Sequence, residues 1–161
     1  MPEGYVQVSG DRGKAVNLLI VDDDEVDQMA IQRAFRKQKI ANPLFAARNG
    51  IEGLEMLRGA NGRAAIPKPY IILLDLKMPK MTGLEFLEEL RKDPCHRHAI
   101  VFVLTTSRDE QDRFRAYDQH VAGYIVKSNV SKDFLELIGL LDHYWKVVEL
   151  PDWEDASCVL R

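Results

Sequence analysis

Apolar and polar positions along this chain follow two alternating periods. Five short runs are apolar and rich in β-branched residues: Val16–Val21, Leu44–Ala47, Tyr70–Leu74, Ile100–Leu104 and Gly123–Val126. Runs this short and this unbroken read as strands buried on both faces. Between them, apolar residues recur at helical spacing. Asn49 with Glu52, Thr82 with Glu85 and Ser107 with Glu110 each have the spacing of a capping box. The first helix is expected to begin near Asp24, with Asp27 as a weaker version of the same device. Gly59 and the Pro94 region mark helix ends, and 59–69 reads as a polar surface loop. Strand–helix alternation at this spacing predicts an α/β fold, a parallel sheet with helices on both faces.

In such sheets ligands sit beyond the carboxyl ends of the strands, where strand order reverses. Four of the five runs end in chemically useful residues. The first ends in Asp22, Asp23 and Asp24, the third in Asp75, the fourth in Thr105, Thr106 and Ser107, and the fifth in Lys127. The second ends in Arg48 and Asn49, with no carboxylate. Adjacent aspartates raise one another's pKa, and a divalent cation resolves that conflict. Mg²⁺ takes oxygen ligands, one or two carboxylates together with a phosphate oxygen, and keeps several waters. A carboxylate held beside Mg²⁺ can attack phosphorus, which makes Asp75 a candidate phosphoacceptor. Lys127 can place a point charge on a phosphoryl oxygen, and the Thr105 hydroxyl can donate to another. Taken singly, each residue has a plainer role: Asp24 as a helix cap, Asp75 as a loop aspartate, Lys127 as a snorkelling lysine, Thr105 as a strand end satisfying backbone. Their convergence on one sheet edge favours the joint reading.

Composition narrows the function classes. With 161 residues, 46% apolar and 29% charged, the chain suits one globular domain. A net charge of −3 gives no footprint for DNA or a membrane surface. No apolar run would span a bilayer and the first residues lack a signal-peptide core, so a cytoplasmic protein is expected. Cys95 and Cys158 have no metal-ligand spacing and read as two reduced thiols.

Four segments together resemble the receiver domains of bacterial two-component response regulators: LLIVDDDE at 18–25, LLDLKMPKMTGLEFL at 73–87, VFVLTTS at 101–107 and GYIVKS at 123–128. They occur in the family order, and the likeness covers roughly 16–145. It implies a doubly wound (βα)₅ flavodoxin-like fold, with a five-stranded parallel sheet of order 2-1-3-4-5. Residues 1–15 would be an N-terminal extension, 16–145 the receiver domain and 146–161 a tail serving as an interface arm. By the same likeness Asp75 is the phosphoacceptor. Asp22, Asp23, Asp75 and the backbone carbonyl of Lys77 hold Mg²⁺. Lys127 binds phosphate, and Thr105 and Tyr124 move together on phosphorylation. The long 59–69 loop, the LTTS ending and the HYWKVVELP tail resemble single-domain regulators serving phytochrome-type histidine kinases. The implied partner is therefore a sensor histidine kinase of the bacteriophytochrome kind.

Two positions depart from the family pattern. Ser128 stands where receivers usually carry proline in a cis peptide; a cis bond to a non-proline residue costs about 3–4 kcal/mol, so a trans peptide and a shifted loop are expected. Lys77 stands where many relatives have a neutral side chain. A phosphatase of the haloacid dehalogenase class would need an acid at that position. A flavodoxin-like binding module would need a Ser/Thr/Gly-rich loop where Asp22–Asp24 stand. A phosphorelay intermediate that returns its phosphoryl group to a histidine phosphotransfer protein is the remaining alternative. The sixteen or so residues after 145 are too few for a DNA-binding domain, so output through protein surfaces is expected. Phe134, Ile138, Leu141 and Trp145 form an apolar stripe that, with Trp153, reads as a homodimer interface.

Overall fold

A computed structural model describes residues 16–151. Five strands, β1 (Asn17–Val21), β2 (Leu44–Ala47), β3 (Tyr70–Leu74), β4 (Ile100–Thr105) and β5 (Gly123–Val126), alternate with five helices. The helices are α1 (Glu25–Lys37), α2 (Gly50–Arg58), α3 (Gly83–Lys92), α4 (Glu110–Asp118) and α5 (Leu135–Val147). The strands are all parallel, in the order β2-β1-β3-β4-β5. This is the doubly wound order expected. No helix among the described residues is long and apolar enough to cross a membrane.

The unbroken apolar runs are explained by burial on both sheet faces. One core layer joins Leu19, Val21, Ile72, Leu74, Val101 and Val103 to α2 and α3 through Leu54, Leu57, Phe86 and Leu90. The other joins Leu18, Ile20, Ile71, Leu73, Phe102 and Leu104 to α1 and α5 through Ile31, Phe35, Ile138 and Leu141. Successive strand residues thus serve opposite layers, as the pleat requires.

Local signals set most boundaries. Asp24 caps α1, accepting from Val26 N and Asp27 N. Thr82 and Glu85 form a full capping box on α3. Asn49 caps α2, although Glu52 Oε1 accepts from Arg48 N, not from the cap residue. Gly59 ends α2 in the left-handed region, at φ 71°. The Lys127–Ser128 peptide is not among the cis bonds, and a 3₁₀ turn, Lys127–Asn129, follows β5.

Three expectations are corrected. Asp109, not Ser107, caps α4: its carboxylate accepts from Gln111 N, so Ser107 is left to the preceding loop. The α5 stripe is no free surface. Phe134, Ile138 and Leu141 lie in the core, and Trp145 packs on Phe35 at 6.4 Å between ring centroids. The stripe covers the sheet because α5 must close the second core layer. The apolar residues it leaves outside are Leu140 and, at the helix end, Val147 and Val148. Trp153 lies outside the described residues. Finally, Cys95 is disulfide-bonded, not a reduced thiol. Metal-ligand spacing, the signal read from the sequence, carries no information about cross-links; Cys158 lies outside the described residues.

Candidate functional site

The carboxyl ends of β1, β3, β4 and β5 converge on one edge of the sheet. The ladder continues one residue past the strands there. Asp75 N donates to Val21 O at 2.9 Å, and Asp22 N donates to Ala47 O at 3.0 Å. These bonds fix the two aspartates side by side at the ends of adjacent strands. Gln28, buried on α1, closes the same corner by donating to Asp22 O and Ala47 O at 2.6 and 2.9 Å.

Asp22, Asp23 and Asp75 each offer a carboxylate oxygen within 4.8 Å of the others. Asp22 and Asp75 are buried and Asp23 is exposed. Hard oxygen donors clustered this closely, with one side open to water, fit a hydrated divalent cation. Asp22 carries the strain of the arrangement. Burial pushes its carboxyl up to about 6, and the Asp75 charge adds to that rise. The hydrogen bonds from Lys127 and Asp24 N oppose it.

Lys127 crosses from the end of β5 to reach this pair. Its Nζ lies 2.8 Å from Asp22 Oδ2, 2.7 Å from Asp27 Oδ2 and 3.8 Å from Asp75 Oδ2. Burial works against its charge, but the Asp22 and Asp27 carboxylates outweigh burial and hold the ammonium above its ordinary range. Asp27 is the residue that sequence reasoning missed at this site. It looked like part of a helix cap, and only its place in the first turn of α1, just past the aspartate run, hinted at more.

Thr105 ends β4 fully buried, and its Oγ1 accepts from Ser107 N at 3.3 Å. The half-buried Tyr124 donates its hydroxyl to Ser107 O at 3.1 Å. Ser107 is therefore the joint between the two residues expected to move together, a role its cap-like spacing concealed. Its own hydroxyl donates to Asp112 Oδ2 at 2.7 Å, tying the joint to α4. Arg108 bridges to the loop after β5, donating to Ser128 Oγ at 2.7 Å and Asn129 Oδ1 at 3.2 Å. Lys77 sits at the site with its side chain exposed, and its backbone N approaches Asp75 Oδ1 at 3.5 Å.

The model of the response regulator receiver domain family matches residues 18–139. Response regulator Rcp1 from Synechocystis sp. is 33% identical over 135 residues, 83% of this chain and 92% of Rcp1. The Mn(2+)-bound form of response regulator Rcp1 is similar with a TM-score of 0.75 at 32% identity, over 85% of this chain and 99% of that one. The phosphorylated cyanobacterial phytochrome response regulator RcpA gives a TM-score of 0.77 at 33% identity, over 86% and 100%. The bacteriophytochrome response regulator AtBRR gives 0.65 at 33%, over 84% and 99%.

Proposed function

The chain belongs to the response regulator receiver family, and from that premise we propose that Asp75 accepts a phosphoryl group from a sensor histidine kinase of the phytochrome type. The observation that carries this reading is the convergence of three carboxylates and Lys127 on the sheet edge. A divalent cation, which we take to be Mg²⁺, would be held by Asp22, Asp23 and Asp75, with the Lys77 carbonyl as a further ligand. When bound it supplies charge neutralisation for the transferring phosphoryl group. The chain's own residues do the rest. An Asp75 carboxylate oxygen attacks phosphorus, the bond to the donor histidine nitrogen breaks, and an aspartyl phosphate forms. Lys127 meets the new charge on the phosphoryl oxygens.

The switch runs through Ser107. When the Thr105 hydroxyl turns to donate to a phosphoryl oxygen, it withdraws the acceptor now facing Ser107 N. Ser107 O, which holds Tyr124, shifts with it, and the surface formed by α4 and β5 changes. The output is protein–protein recognition in the cytoplasm. Pairing of two copies would use the outward flank of α5, at Leu140 and Val147, instead of the buried stripe.

The test is intact mass after incubation with a small phosphodonor. The wild-type chain should gain one phosphoryl group in Mg²⁺ and none in chelator, and Asp75→Asn should gain none. Equal labelling of Asp75→Asn would overturn the assignment.

A further inference from the structure

Lys127 does not rest on Asp75. Its ammonium has three donor hydrogens, and its close partners are Asp22 at 2.8 Å and Asp27 at 2.7 Å, with Asp75 beyond hydrogen-bond reach at 3.8 Å. Asp22 belongs to the carboxylate cluster that fits a cation, and Asp27 does not. Asp27 comes instead from the first turn of α1, while Lys127 comes from the far side of the sheet, past β3 and β4. The pair is well shielded, with side-chain exposures of 10% for Lys127 and 22% for Asp27, so its attraction is only partly screened. When a cation engages Asp22, Asp27 is, among the described residues, the one close partner still competing for the lysine.

We infer that Asp27 is a positioning residue that holds Lys127 back from Asp75 in the resting state and so lowers the pocket's affinity for a phosphoryl group. To bond a phosphoryl oxygen on Asp75, Lys127 must loosen from Asp27. Removing the Asp27 charge has two opposite consequences. The phosphorylated state is favoured, because the lysine is released toward it. Binding of Mg²⁺ alone is disfavoured, because the released ammonium neutralises Asp22 and Asp75 more fully. A residue that merely capped α1 would move neither affinity, or both in the same direction. The inference rests on Asp75 being the phosphoacceptor.

The experiment titrates the full chain with beryllofluoride, a phosphoryl mimic, at saturating Mg²⁺, and separately with Mg²⁺ alone. Asp27→Asn should bind beryllofluoride on the order of 5- to 10-fold more tightly than wild type, the range for directly contacting charges, and should bind Mg²⁺ more weakly. In a Lys127→Met background the same substitution should change beryllofluoride affinity by less than about twofold. Unchanged or weaker beryllofluoride binding by Asp27→Asn would overturn the inference, as would a full gain that persists without Lys127. If wild type binds beryllofluoride and Asp75→Asn does not, those outcomes bear on Asp27 alone. If wild type and Asp75→Asn bind it equally, or neither binds it, the phosphoacceptor reading fails and takes the inference with it.

Discussion

Replacing Asp22 with Asn should stabilise the metal-free protein, and do so only where Asp22 is ionised. Asp22 is 2% exposed, and its carboxyl is raised from 3.8 to about 6, first by burial and further by the Asp75 charge. Its folded pKa therefore exceeds its unfolded one. Between about pH 4 and pH 6 the folded state binds more protons than the unfolded state, so stability falls as pH rises through that window. Above it the cost is complete. A shift of about two pKa units corresponds to roughly 3 kcal/mol. Asn is neutral and keeps an oxygen for Asp24 N, which now donates to Asp22 at 2.9 Å. Lys127 keeps Asp27 at 2.7 Å. The gain should thus approach, but not exceed, about 3 kcal/mol near pH 7.5 and shrink toward zero near pH 4. Urea unfolding in chelator at the two pH values measures it. Saturating Mg²⁺ should reduce the difference at the higher pH, because a ligand bound only by the folded state stabilises the better-binding wild type more. A gain of the same size at both pH values, or a loss near pH 7.5, would refute the reasoning.

Further outcomes are expected elsewhere. A Cβ on Gly83 would run into two backbone atoms, Asp75 O and Leu76 Cα; Gly83→Ala should cost about 1–3 kcal/mol in urea melts and slow labelling of Asp75 by moving its loop. Arg91 donates to the carbonyls of Gln119, Arg97, Ala99 and His120 at 2.7–3.0 Å. A lysine cannot span that set, so Arg91→Lys should lose about 2–3 kcal/mol of stability, also read by urea unfolding. Tyr124→Phe removes the bond to Ser107 O; it should leave Asp75 labelling intact but weaken the phosphorylation-dependent change in partner binding. Leu140, 53% exposed on α5, is the residue to test for pairing: sedimentation should show Leu140→Glu lowering any self-association of the full chain, while urea melts should show its unfolding free energy within about 0.5 kcal/mol of wild type.

Much of the molecule was legible in order along the chain. Strands such as Tyr70–Leu74 and Gly123–Val126 were bounded correctly because a strand buried on both faces leaves an unbroken apolar run. Asp24, Asn49, Thr82 and Gly59 announced helix ends because capping is a contact between near neighbours in sequence. The site was legible for a related reason. In a parallel sheet all carboxyl ends lie on one edge, so strand-terminal Asp22, Asp75, Thr105 and Lys127 had to meet once the strands were known. Choices among equivalent partners needed the tertiary structure. Asp27 had the spacing of a cap and became a partner of Lys127 a hundred residues away, because the strand order sets which side chains Lys127 can reach. Ser107 looked like a helix start and became the joint between Thr105 and Tyr124, since Asp109 stood nearer the helix and took the cap. The α5 stripe showed that one face is apolar but not what covers it. Periodicity specifies a face, whereas the partner of that face is decided by the layer of core left open, here the one holding Phe35 of α1 and Phe102 and Leu104 of β4.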